Sequence, residues 1–307
     1  MDEIKEILKE ISIGKIETHI KNLQGVRHPV FAPDALENAA NYIWNNLQTF
    51  GHEMSLHYFH EDGKEYRNII GIHPGTGKPE KKVIVLAHFD SVAISPGADD
   101  NASGIAAMLE LARVVKQYKF EKSILFIGVN LEEQKVDGEK DSPFLRGSKA
   151  LATYAKEQGW DIEGVINFET MAYAGDTIAQ SAPENIPLKL PETGNFIGII
   201  GNENSAEMVK DYIEAIERYQ IPLPYVPLVV PGNGEMLLDT RRSDHAPFWD
   251  NGYPAIMITD TANFRTPHYH QASDTLDTLN LSFATEVCRA GGGLLFKMAG
   301  FENSRGS

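Results

Sequence analysis

Only one cysteine, Cys288, stands among the 307 residues. No intrachain disulfide can form, and a thiolate zinc site would have no partners for it. Any metal this chain holds must sit on histidine and carboxylate. Basic residues are also in short supply: 28 Lys and Arg face 43 Asp and Glu, a formal net charge of −15. That balance disfavours sequence-independent binding to nucleic acid or to an anionic membrane, since both need a cationic face. The adjacent arginines Arg241 and Arg242 form no basic tract, because Asp239 and Asp244 lie beside them. Long apolar runs are missing too, and nothing approaches the ~20 residues that span a bilayer. The N-terminal stretch MDEIKEILKEISIGKIETHI alternates charged and apolar residues at helical spacing and reads as an amphipathic helix, not a signal peptide. Cytoplasmic residence is the expectation.

What remains is ordinary for a globular protein: 42% hydrophobic and 23% charged, enough for a sizeable core. No internal repeat and no Gly/Ser linker divides the chain. The reading is a single domain over residues 1–302 with a disordered tail at 303–307. Apolar helix faces suit a core or a dimer face equally, so an oligomer stays open.

A helix is expected from Pro33 to Gly51, punctuated by Pro and Asp at its start and Gly at its end. Strands at 53–59, 67–73 and 82–87 follow. Helices at 102–117, 145–157, 205–218 and 282–299 then alternate with strands at 123–131, 163–168, 196–200, 225–230 and 254–259. Strands and helices in this order predict an α/β fold: a mixed, mainly parallel sheet with helices on both faces. The irregular stretches 134–146 and 172–195 read as surface loops.

In such sheets ligands gather where strands end, and there this sequence concentrates its chemistry. His88 and Asp90 close the strand in VIVLAHFD, and Asp99 and Asp100 lie further along the same loop. Glu132 and Glu133 follow SILFIGVN, Glu169 follows GVINF, and His268 and His270 come soon after AIMITD. Each cluster alone has a plainer reading. The two aspartates suit the N-cap of the next helix, the glutamate pair suits a solvated loop, and single histidines suit a rim or core. Four loops delivering such groups to one sheet edge argue instead for a site. Two histidines with three carboxylates suit zinc or a related divalent ion. One carboxylate can bridge two ions, and a further one can carry a proton.

The segments HFD, GADDNASG, LEE, NFE and SDHAPFWDNGYPAIMITD…YHQASDT, in this order, resemble the family 28 zinc metallopeptidases. The resemblance runs from about residue 66 to 299. It implies a zinc-aminopeptidase fold and two zinc ions, with His88 and Glu169 on one, His270 and Glu133 on the other, and Asp100 bridging them. It further implies Glu132 as the general base, Asp90 as hydrogen-bond partner of the His88 ring, and Tyr269 as donor to the tetrahedral intermediate. His245 and His268 take no ligand role. The implied activity is aminopeptidase action on peptides. Carboxypeptidase or dipeptidase action is the first rival, with Arg146, Arg241, Arg242 or Arg265 for a substrate carboxylate. Glutaminyl cyclase chemistry and a non-enzymatic binding module are the others. Two departures stand out: Glu169 occupies a position where the family commonly has Asp, and 13 residues separate Glu133 from Gly147.

Overall fold

The computed structural model describes residues 3–134 and 144–302. The tail 303–307, and most of the segment between Glu133 and Gly147, lie outside the described residues. The N-terminal stretch is two helices rather than the expected one: α1 (Glu3–Leu8) and α2 (Ile13–Leu23). The break falls at Ser12, whose backbone is extended and whose N–H donates to Glu110 Oε1 at 2.7 Å. A tertiary hydrogen bond from a residue 98 positions away interrupts a periodicity that continues across it. Helix α3 (Pro33–Thr49) starts on Pro33, where the missing N–H costs no helical bond.

Strands β1 (Glu53–Glu61) and β2 (Lys64–His73) form an antiparallel hairpin, followed by β3 (Lys78–His88), which begins earlier than expected. Next come α4 (Gly104–Val115), the two-residue strand β4 (Lys119–Phe120), β5 (Lys122–Val129), α5 (Arg146–Glu157) and β6 (Asp161–Glu169). The chain continues through β7 (Ile197–Asn202), α6 (Ala206–Tyr219), β8 (Tyr225–Val230), the short α7 (Ala246–Asp250) and β9 (Ala255–Thr259). It closes with α8 (Leu281–Ala299) and β10 (Phe301–Glu302), which pairs with β4.

The main sheet has eight strands in the order β1-β2-β5-β3-β6-β9-β7-β8. The central four, β5, β3, β6 and β9, are parallel, while β2 and β7 join them antiparallel. The expected mixed, mainly parallel sheet is therefore present. Burial on both faces explains why the central strands read as continuous apolar runs. Val83, Val85 and Ala87 pack with α2, α4 and α8 on one face, while Ile84 and Leu86 pack with α5 and α7 on the other. Helix α4 is buried along nearly its whole length, consistent with its Ala-rich sequence. Among the described residues no helix is long and apolar enough to cross a membrane.

This topology positions the site. Four parallel strands end at one edge, and β3, β5, β6 and β9 each hand the chain to a loop there.

Candidate metal centre

His88 is the last residue of β3 and Glu169 the last of β6. Glu132 and Glu133 follow β5, Asp100 lies in the wide helical turn before α4, and His270 comes from the loop after β9. The structure brings all six side chains together. His88 Nε2 lies 3.2 Å from Asp100 Oδ1, 3.4 Å from Glu169 Oε2 and 3.9 Å from Glu132 Oε2. His270 Nε2 lies 3.3 Å from Asp100 Oδ2 and 3.2 Å from Glu133 Oε2. The two oxygens of Asp100 thus face two different histidines. Two donor triads result, His88/Asp100/Glu169 and Asp100/Glu133/His270; a third grouping joins His88 with Glu132 and Glu133.

The backbone is strained where these side chains are delivered. Leu131, Thr170 and His270 adopt positive φ of 56°, 42° and 57°, and none is glycine. Such conformations cost on the order of 1–3 kcal/mol each and persist where the surroundings over-determine them. Each of these residues is a candidate site residue or its immediate neighbour. Close approach requires glycine at two further places: a Cβ on Gly104 would meet the carbonyl of Phe168 at 2.7 Å, and one on Gly147 would run into the carbonyl oxygen of Asn130.

Supporting groups fix the loops to one another. Asp90 accepts hydrogen bonds from the amides of Glu132 (3.0 Å) and Glu133 (3.1 Å). Its distance to His88 Nδ1 is longer, 3.5 Å, so its firmest grip is on the glutamate pair rather than on the ring. Asp274 accepts from the amides of Asp99 and Asp100 at 2.8 and 3.2 Å. Ser243 Oγ donates to Glu169 Oε2 at 2.7 Å, and Asn101 Nδ2 donates to the Phe168 carbonyl at 2.8 Å. Sequence reasoning assigned no role to Asn101, Ser243 or Asp274; the segments GADDNASG, SDHAPF and QASDT were the available signals. The plainer cap reading of the aspartates is not what the side chains do: Asp99 accepts from the amide of Ala172, and Asn101 Oδ1 accepts from Gly104 N.

Charge crowding governs protonation. Burial pushes Glu132 well above the ordinary carboxylate range, with Glu133, Glu169 and Asp244 adding to it, and burial beside Asp100 pushes Glu133 up to about 7. Burial alone would lower His88 and His270, but the surrounding carboxylates win and hold His88 well above its usual value and His270 at about 12. A cluster so unbalanced toward anions is what a multiply charged cation relieves.

His245 and His268 stay out of the cluster. His245 is buried, bonds the Thr240 carbonyl at 2.8 Å and meets Trp249 edge-on, while His268 bonds Ser273. Tyr269 is half-buried, stacks on the His270 ring with centroids 3.9 Å apart, and accepts a 3.2 Å hydrogen bond from Arg242.

Two depressions adjoin the centre. Glu132, Glu133, Gln134, Phe144, Arg242 and His270 line an open cleft. On the other side of Glu169 and Tyr269 lies an apolar pocket walled by Ile186, Leu188, Phe196, Ile200, Met257 and Phe264. The 172–195 stretch, expected as a plain surface loop, supplies part of that wall, and the alternation Ile186-Leu188-Leu190 was its trace in the sequence.

Residues 68–290 match Peptidase family M28. The chain belongs to that family. It is 29% identical over 300 residues to the uncharacterized protein YfbL of Escherichia coli, covering 91% of this chain and 86% of that protein. It is 23% identical to leucine aminopeptidase 1 of Sclerotinia sclerotiorum, covering 97% and 74%. Among solved structures, the LapA aminopeptidase of Legionella pneumophila superposes with a TM-score of 0.75 at 21% identity, covering 97% of this chain and 75% of that one. A glutaminyl cyclase of Macrostomum lignano gives 0.77 at 15% identity, covering 99% and 94%; at such identities the likeness is one of fold. The family resemblance and the fold class read from the sequence both hold. This M28 chain is a zinc metallopeptidase, a hydrolase whose substrates are peptides.

Proposed function

We propose that this M28 peptidase is an aminopeptidase with two zinc ions, and that the split orientation of the Asp100 carboxylate is the observation that carries the reading. One ion would sit with His88, Asp100 and Glu169, the other with Asp100, Glu133 and His270. The donor set fits: imidazole and carboxylate, no thiolate, three protein ligands for each ion. Two buried polar atoms support the fit. His88 Nε2 and Glu133 Oε1 have no hydrogen-bond partner among the described residues, an expensive condition that metal ligation removes.

Bound zinc supplies Lewis acidity toward the scissile carbonyl and lowers the pKa of water. The chain's own residues supply the rest. Glu132 accepts the proton of the attacking water as the C–O bond forms, then delivers it to the nitrogen as the C–N bond breaks, releasing an amine. Asp90 holds that glutamate's amide, so the carboxylate is presented from a fixed backbone. The Tyr269 hydroxyl accepts from Arg242, which leaves its proton for the carbonyl oxygen as negative charge develops there. Burial holds this phenol well above its ordinary range, with Asp100 adding to it, so it remains a donor.

The apolar pocket supports removal of an N-terminal residue. Glu169 lines the pocket mouth while facing His88, so a side chain seated in the pocket places its own α-amine beside a carboxylate. The relatives named aminopeptidases point the same way. Zinc counted per chain, together with hydrolysis of amino-acid arylamides, tests the proposal: two ions with turnover supports it, whereas one ion with ammonia released and a pyroglutamyl residue left on Gln-initiated peptides supports the cyclase rival.

Arg242 keeps a dipeptidase reading in view, since it lines the cleft beside Glu132 and Glu133, although it is itself bonded to Asp239, Asn263 and Tyr269. Arg241 is paired with Asp250, Arg265 is buried against Gln180 and Phe196, and Arg146 is tied to the Glu133 carbonyl. Faster cleavage of a free-acid dipeptide than of its amide would favour that reading.

A further inference from the structure

We propose that Arg27 is a positioning residue for the metal centre, locking the start of the β3–α4 loop, beside His88 and Asp90, to the end of the same loop, which leads into Asp100. The inference rests on the metal-centre reading above. Arg27 lies outside the segment 68–290 that matches the family, in the turn after α2, and its side chain is 2% exposed. Among the described residues its guanidinium donates only to backbone carbonyls. Nε reaches Phe89 O at 2.7 Å, Nη1 reaches Leu23 O, Gly25 O and Pro96 O at 2.6, 2.8 and 2.8 Å, and Nη2 reaches Gly97 O at 3.0 Å. The backbone of Arg27 adds two bonds to Ser91: its N–H donates to Ser91 Oγ at 2.9 Å, and its carbonyl accepts from Ser91 N at 3.1 Å.

The placement of these acceptors gives the inference its content. Phe89 is the residue between His88 and Asp90, and Gly97 lies three residues before Asp100. One rigid planar group therefore sets the separation of the two ends of the β3–α4 loop and ties both to the end of α2. Gly97 has φ +59°, and a Cβ there would lie 2.8 Å from Arg27 Nη2, so the fit around the guanidinium leaves no slack.

The choice of carbonyls over carboxylates also matters. A buried cation usually takes an acidic partner, and Asp90, Asp274, Asp100 and Glu133 all act on Arg27 at a distance. A direct ion pair with Asp100 or Glu133 would draw that oxygen away from the centre. Arg27 instead faces neutral acceptors and leaves the carboxylates to the metal. Lysine cannot replace it, because a single ammonium presents three donors from one point and cannot fan across carbonyls from three segments.

Zinc affinity measured by chelator competition tests the clamp, using the full chain and three proteins: wild type, Arg27→Lys, and Ile20→Ala as a core truncation in α2 that removes no hydrogen bond. Thermal unfolding of the metal-free forms shows how far each variant is loosened overall. The expected result is zinc binding weaker by about tenfold or more in Arg27→Lys, with kcat reduced at saturating zinc and KM little changed, while Ile20→Ala keeps its zinc affinity at a comparable loss of Tm. Wild-type affinity in Arg27→Lys overturns the clamp, and so does an equal loss in Ile20→Ala. If Arg27→Lys does not fold, Ser91→Ala releases the same turn: weakened zinc binding supports the clamp and unchanged binding overturns it. Failure of the wild type itself to bind zinc overturns the metal reading and the clamp with it.

Discussion

Ser243 Oγ donates a 2.7 Å hydrogen bond to Glu169 Oε2, the oxygen that faces His88 Nε2 at 3.4 Å. Ser243 accepts in turn from Asn167 Nδ2 at 2.7 Å, so its hydroxyl is oriented before it meets the glutamate. Glutamate has one more rotatable bond than the aspartate common at this position, and the Asn167–Ser243–Glu169 chain removes that freedom. Ser243→Ala is expected to weaken the zinc site proposed at His88 and Glu169 by about tenfold, the usual scale for loss of a ligand's hydrogen-bond partner. Titration of the metal-free protein with zinc should show one weakened and one unchanged step; two unchanged steps would remove Ser243 from the account.

Glu132→Gln separates proton transfer from metal binding. The amide preserves the shape and the bond from its backbone N–H to Asp90 but cannot accept the proton. Arylamide turnover is expected to fall by about 10²–10⁴-fold, the range of general acid–base catalysis, while metal analysis still finds the wild-type zinc content. Retained turnover would move the proton carrier to another group.

Those residues were legible in the sequence because a parallel sheet collects strand ends at one edge. Once the strands ending in VIVLAH, ILFIGV and VINFE are recognised, the polar residues just beyond them are neighbours in space. What was illegible depends on contacts that local pattern does not encode. The split between α1 and α2 comes from Glu110 reaching Ser12 across the fold. The reversed direction of β7 and β8 relative to β9 depends on how the crossing segments pack, not on strand periodicity. The pairing of β4 with β10 involves two residues on each side, too few for any periodicity. Arg27 looks like an isolated charge in the sequence, and only the convergence of five carbonyls around it shows otherwise.

Acid sensitivity should have a component remote from the metal. Burial lowers His52 to about 4, although its ring bonds the Ala112 carbonyl. The unfolded chain takes up this proton first as pH falls below about 6.5, so stability declines from there and levels off below about 4, by roughly 3 kcal/mol. His52→Gln removes that titration. Chemical denaturation of both proteins between pH 7 and 4.5 is expected to show a shallower decline for the variant, and zinc release, common to both, cancels in the difference. Parallel pH profiles would show that His52 is not the group responsible.

The apolar pocket makes the sharpest statement about substrate. Ile200 and Met257 stand directly opposite each other on β7 and β9, and both face the pocket beside Glu169. If the side chain of the N-terminal residue fills this space, a carboxylate placed there is a desolvated anion facing an alkyl group, and binding pays for it. Ile200→Glu is therefore expected to lower kcat/KM for a leucine arylamide by at least about 100-fold, a few kcal/mol of lost transition-state binding, and to shift preference toward a lysine arylamide, whose ammonium would pair with the new carboxylate. A general loss of activity on both substrates would point to damage in β7 rather than to the pocket. An unchanged preference for leucine would place the substrate side chain elsewhere, with the open cleft bordered by Phe144 and Arg242 as the remaining candidate.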